Sequence, residues 1–237
     1  MKKFLLIIIV LLLILGGIAA YFGFIPGLSN TFAKQVDLGI ENDPQLNIDL
    51  KNKIGLQFNI PEEELPTEKE IVYEGSLEIE ESLTSEQVTS VLNTVKSELA
   101  YMPFSNVQIR INEDGTTEAS FNLNIETTVN EARKLGYTEE QIEKGKKYIG
   151  ALGDSVNMYA KLSFDISNDE LTVNPYAFRI QNFNVPSAIT KLVAEVGSNA
   201  IEDRLSQVPN LYIESLKQVG DRLNFKGTIP GSVSTVD

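Results

Sequence analysis

The 237-residue chain carries a formal charge of −13, from 33 acidic and 20 basic residues, and contains no Cys, His or Trp. That composition excludes disulfides, thiolate or imidazole metal sites, and Ser-His-Asp or Cys-His nucleophiles. Its acidic balance opposes nucleic-acid binding and flat electrostatic adsorption to anionic lipid.

"MKKFLLIIIVLLLILGGIAAYFGFIPG" opens the chain with 22 uncharged residues from Phe4 to Ile25. At about 1.5 Å rise per residue the run covers the ~30 Å hydrocarbon core, and Tyr21, Phe22 and Phe24 suit a membrane–water interface. The expectation for residues 1–25 is an uncleaved transmembrane helix, because "GGIAAYFGFIP" lacks the clean A-x-A site of a signal peptide. Lys2 and Lys3 then hold the N-terminus in the cytoplasm and leave the rest outside, giving a single-pass cell-membrane protein.

Residues 26–70 read as a stalk or peripheral segment. "IENDPQLN" and "IPEEELPTEKE" favour turns and solvated chain, and "IDLKNKIGLQFNI" between them fits an edge strand or a short helix. Regular patterning begins at residue 71, where "IVYEGSLEI" puts Ile71, Tyr73, Leu77 and Ile79 on one face of a half-buried strand. In "LTSEQVTSVLNTVKSEL", Thr84 and Gln87 form a capping box. Val88, Val91, Leu92, Val95 and Leu99 make the stripe of an amphipathic helix. Val107, Ile109 and Ile111 alternate up to the turn "NEDG", and Ala119, Phe121, Leu123 and Ile125 alternate after it.

The insertion 127–152 has a second capping box at Thr138 and Gln141 and a thin stripe (Ile142, Ile149, Leu152), so it reads as peripheral. A long strand follows with Val156, Met158, Ala160, Leu162, Phe164 and Ile166 on one side. "SNDE" turns it into "LTVNPYAFRIQNF", where Pro175 marks an edge or a bulge. With a shift of 101 positions, later 106, the pattern of residues 71–125 overlies that of 171–230, with mismatches at Ile111/Lys217 and Phe121/Gly227. The fold class expected is α+β: the N-terminal transmembrane helix, then an antiparallel sheet packed on two long amphipathic helices, with two β-α-β-β repeats as one option. The external domain spans 71–230 and a tail 231–237. Aspartate at Leu92 or Val193 is expected to unfold it by charging a buried stripe.

The single N-terminal span, "SLTSEQVTSVLN", "VQIRINEDGTTEASFNL", "RIQNFNVPSAITKLV" and "PNLYIESLKQVGDRLNFKGTIP" together resemble the anchored bacterial proteins of the YpmS and LmeA type. More distantly they resemble the tubular lipid-binding (TULIP-like) fold. The opening "FGFIPGLSN…VDLGI" is also similar to uncharacterised anchored proteins of small-genome bacteria. The resemblance implies a curved sheet wrapping long helices around an apolar groove for acyl chains. Phe121, Leu123, Leu162, Phe164, Phe178, Ile180 and Phe183 are then the groove-lining candidates, and the bland reading of the same row is filled core.

No residue set declares a reaction. Glu62–Glu64 and Glu78–Glu81 read as solvated surface, and "NEDG" and "SNDE" as turns without calcium-loop spacing. The expectation is a non-enzymatic protein without metal or cofactor, its N-terminal helix in membrane lipid and its external domain binding lipid or another apolar ligand. The alternative is an envelope scaffold that contacts other proteins and encloses no ligand.

Overall fold

The structure, a computed structural model, describes residues 34–59, 71–98, 103–134, 136–143 and 154–235. Phe4–Ile25, Glu62–Glu64, Leu99, Ile149 and Leu152 lie outside the described residues, as do the side chains of Val95, Leu192, Val196 and Ala200.

After an extended segment (34–43) come helix α1 (Pro44–Ile54) and strand β1 (Gln57–Asn59). Asp43 caps α1 by accepting the Gln45 N–H at 3.0 Å, with Pro44 at the first turn and Gly55 (φ 78°) ending it. "IDLKNKIGLQFNI" is therefore helix and then strand. Next are β2 (Ile71–Glu74), β3 (Leu77–Leu83), α2 (Ser85–Glu98), β4 (Phe104–Ile111), β5 (Thr117–Asn124) and α3 (Ile125–Lys134). The chain continues through β6 (Ser155–Ser167), β7 (Glu170–Ile180), β8 (Phe183–Asn184), α4 (Ser187–Ser206), β9 (Tyr212–Val219), β10 (Arg222–Ile229) and β11 (Ser232–Thr235). Both expected capping boxes form: Thr84 N–H donates to Gln87 Oε1 at 3.0 Å and Thr138 N–H to Gln141 Oε1 at 2.8 Å. Asn168 and Asp169 both take positive φ, so "SNDE" is a two-residue primed hairpin.

The main sheet runs β3-β10-β9-β6-β5-β4, and every pair in it is antiparallel. β6 is the hub. One of its edges carries β7, while the other is shared end to end by β5 (opposite 155–162) and β9 (opposite 165–167). A small second sheet, β1-β11-β2, joins the chain after α1 to the C-terminal strand.

Helix α2 lies against the outer edge of β4, where a strand would otherwise dock. Ser85 Oγ accepts the Ile111 N–H at 2.9 Å, and Thr89 Oγ1 accepts the Ile109 N–H at 2.9 Å. Asn93 Oδ1 accepts the Val107 N–H at 3.0 Å while its Nδ2 donates to the Val107 carbonyl at 2.7 Å. Four helical residues advance about 6 Å and two strand residues about 6.7 Å, so the three rungs stay in step. The edge that would template aggregation is thereby saturated by side chains. Thr89 and Ser90 are 0% exposed, whereas Val88, Val91 and Leu92 are only half-buried.

Two expectations need correction. Among the described residues no helix is long and apolar enough to cross a membrane. Among the described residues the architecture is a mostly antiparallel sheet whose two longest helices have 14 and 20 residues, and it does not pack two long amphipathic helices on one face. α2 presents its polar stripe to β4, and Val193 of α4 is 39% exposed, so no buried apolar stripe passes through it. The paired segments do share the order strand–helix–strand–strand, yet β3 pairs with β10 while β7 pairs with β6, so the halves are not equivalent. Gly227 departs from Phe121 for a physical reason. A Cβ there would stand 2.1 Å from the Tyr212 carbonyl oxygen, at the bulge between β9 and β10.

Candidate functional site: the apolar face of β5, β6 and β7

Alternation places one apolar face across β5, β6, β7 and β8, and the register decides which side chains meet. Phe121 stands opposite Met158, Met158 opposite Ile180, and Ile180 opposite Phe183, a continuous transverse row. The next row is Ala119, Ala160 and Phe178, followed by Leu162 with Pro175 and Phe164 with Val173. A bulge between Lys161 and Leu162 shifts β7 by one residue, which is how Phe178 and Pro175 both reach this face. The two alanines sit between larger neighbours in the rows on either side.

All seven sequence candidates belong to this face, but none is fully buried. Phe121, Leu123, Leu162, Phe164, Phe178 and Ile180 are half-buried, and Phe183 is 40% exposed. A buried cluster lies beside them. Ile125, Val129, Ile142 and Val156 form the buried cluster, with Leu123, Met158 and Ile180 packed against it. Residues of the insertion read as peripheral thus supply a core, anchored at Val156 (1% exposed). A helix stripe of three residues looked thin in sequence because α3 contributes the other half through Ile125 and Val129.

The opposite face of β4 and β5 is polar and covered. Ser120 is 0% exposed and donates to the Val36 carbonyl at 2.5 Å; Gln108 Oε1 accepts the Leu38 N–H at 2.6 Å. Gln35 donates to the Asn106 carbonyl at 2.6 Å and accepts from Asn122 Nδ2 at 2.8 Å. Segment 34–43 is therefore a strap over the polar side, and its own Leu38 is only 3% exposed. Nearby, Tyr159 donates to Glu118 Oε1 at 2.5 Å, and Arg110 lies 3.8 Å from Glu118. Partial burial, together with the Glu118 carboxylate, pushes the Tyr159 hydroxyl up to about 12.

A polar cleft of about 560 Å³ lies elsewhere, over β3, β9 and β10, lined by Glu78, Glu80, Tyr212, Glu214, Lys226 and Gly227. Lys226 donates to Glu214 at 2.6 Å, which holds its ammonium above the usual lysine range. Among the described residues no three acidic side chains converge to hold a metal ion. The turn carboxylate Asp114 accepts from the Thr116 hydroxyl and N–H, which hold it below the usual carboxylate range. "NEDG" is thus a closed turn with its acceptors engaged.

No protein-family model, curated protein or solved structure matches the chain. The likeness to the YpmS and LmeA type therefore stands on the quoted motifs alone.

Proposed function

We propose that the chain is a non-enzymatic, membrane-attached protein of the cell envelope whose external domain binds lipid or another apolar ligand on the β5–β6–β7 face. The observation that carries this reading is the half-open state of six large apolar side chains around Ala119 and Ala160. Fully burying each such side chain is worth about 1.5–3 kcal/mol, so a face retaining up to a third of that leaves of order 3 kcal/mol to an occupant. An acyl chain would add its own buried surface. Attachment would come from the apolar run Phe4–Ile25, with Lys2 and Lys3 on the cytoplasmic side.

The test uses the full chain in vesicles with a photoreactive fatty acid. Cross-links on peptides of β6 and β7, weakened in Phe164→Asp and Phe178→Asp, are expected. Cross-links confined to residues before Lys34 would overturn the ligand assignment.

A further inference from the structure

Among the described residues three buried side-chain polar atoms have no hydrogen-bond partner: Asn47 Nδ2, Arg179 Nε and Gln181 Nε2. The last two belong together. Arg179 stands near the end of β7 and Gln181 in the turn that follows, two residues on. Buried donors are almost always satisfied, so two unmet donors on neighbouring side chains mark the place of a missing acceptor.

Both side chains lie on the polar face of the sheet. Asn157 and Tyr159 project from β6 on the side opposite Met158, and the register sets Arg179 beside Tyr159. Gln181 joins that side through Asn157. Its N–H donates to the Asn157 carbonyl at 2.7 Å, and its Oε1 accepts Asn157 Nδ2 at 3.0 Å and the Asn157 N–H at 3.4 Å. A side-chain carbonyl that accepts twice polarises its own amide, which makes Nε2–H a better donor.

The backbone at Gln181 is unusual as well. It takes φ 53°, whereas the other described non-glycine residues at positive φ are Asn or Asp, which adopt that region more readily. A side chain at a hairpin turn ordinarily projects into solvent, yet Gln181 is 2% exposed. The turn thus directs this amide inward.

The acids of the neighbourhood leave both donors unmet. Glu118 accepts from Tyr159 at 2.5 Å and lies 3.8 Å from Arg110. Asp154 and Glu126, at the same end of the sheet, bond to neither donor. Two N–H donors, one of them on a permanently charged guanidinium, repel a cation and call for an anionic acceptor. A carboxylate suits them, since its two oxygens can each take one N–H in a plane with the arginine fork.

We propose that Arg179 and Gln181 form a carboxylate-binding site on the polar face of β6 and β7. One oxygen accepts from Arg179 Nε and the other from Gln181 Nε2. Arg179 as a whole is only half-buried, so a ligand enters from solvent past its guanidinium. The site lies on the face opposite the apolar row and stands independently of lipid binding.

The chain has five arginines, so its Nε–H resonances are few enough to assign. Full-length ¹⁵N-labelled protein in uncharged detergent micelles is titrated with sodium acetate, with sodium chloride holding the ionic strength constant. The Arg179 Nε–H and Gln181 side-chain NH₂ signals are expected to move downfield together and saturate with one midpoint, while the Arg222 Nε–H stays in place. Gln181→Met keeps the length of the side chain and removes its donors, and should raise the midpoint read at Arg179 about tenfold or more. Arg179→Lys keeps the charge without the Nε–H and should raise the midpoint read at Gln181 similarly, which covers the case that Gln181→Met does not fold. Absence of a saturable shift at both residues overturns the site. An equal response to chloride alone overturns the assignment to carboxylate. Either folded variant retaining the parent's midpoint overturns the pairing of the two donors.

Discussion

Asn93→Leu separates two accounts of helix α2. If α2 were held by an apolar stripe, a leucine at 93 would widen that stripe, improve helix propensity by a few tenths of a kcal/mol, and leave the fold as stable or more so. The structure assigns Asn93 a different duty. Its amide satisfies both the N–H and the carbonyl of Val107, a residue only 4% exposed on the edge strand. Stripping partners from two buried backbone groups costs about 1–3 kcal/mol each, against roughly 1 kcal/mol regained from propensity and apolar burial. The expected net loss is about 1–5 kcal/mol, read as a lower urea midpoint by far-UV circular dichroism of the full chain in micelles. Hydrogen exchange localises the effect, because the amides of β4 should lose protection before those of β6. Unchanged stability together with unchanged exchange over 104–111 would refute the edge-capping argument. Thr89→Val, which removes only the hydroxyl that Ile109 N–H needs, should repeat the result at about 1–2 kcal/mol.

Gly227→Ala should cost more than about 2 kcal/mol, because its Cβ would meet a backbone oxygen at 2.1 Å. Gly220→Ala, with φ 61° and open space around it, should cost only about 1 kcal/mol; equal urea midpoints for the two would count against the bulge packing. Tyr159, raised from 10 to about 12, is neutral in the folded chain while an unfolded tyrosine already ionises. Its stabilising contribution is complete below pH 10 and disappears as pH rises toward 12. Tyr159→Phe should flatten that part of the stability profile, and a parallel fall in variant and parent would refute the assignment. Val193→Asp should shift stability by no more than about 0.5 kcal/mol, whereas Val129→Asp, 9% exposed in the buried cluster, should abolish cooperative unfolding. Similar behaviour of the two variants would contradict the burial described here.

Local signals in the chain carried over well. Thr84/Gln87 and Thr138/Gln141 announced their caps, "NEDG" and "SNDE" their turns, and the alternation from Val156 to Ile166 the central strand. Each rests on interactions within a few residues, which a linear reading can see. The orientation of α2 could not be read the same way, since a helix with Val88, Val91 and Leu92 on one side and Ser85, Thr89 and Asn93 on another can dock by either. The apolar pattern was the stronger cue and pointed the wrong way. A four-residue spacing of short polar side chains ahead of a strand was the available signal. It becomes meaningful only once β4 is known to be an edge. Likewise, the polar alternation of Gln108, Arg110, Ser120 and Asn122 carries no local sign that this face is covered. The strap that covers it comes from residues 70 or more positions away in the chain.

The candidate site follows the same division. Alternation alone set Phe121, Leu123, Leu162, Phe164, Phe178, Ile180 and Phe183 on one side, and the register brings them together. How far that side is covered depends on where α3 and α4 land, a matter of long-range packing. α3 and Ile142 cover the Val156 end and complete a core there; α4 packs beside β7 and leaves Ile189 and Val193 in solvent. The face is closed at Val156 and, at the other end of β6, at Ile166 (4% exposed), half-open between them at Phe121 and Phe178, and exposed at Phe183 on its β8 edge. A filled core would be buried throughout, and a bare surface would not collect so many large apolar groups in register. That spread of exposure follows from where α3, Ile142 and α4 land, and neither landing is encoded in the alternation of the strands themselves.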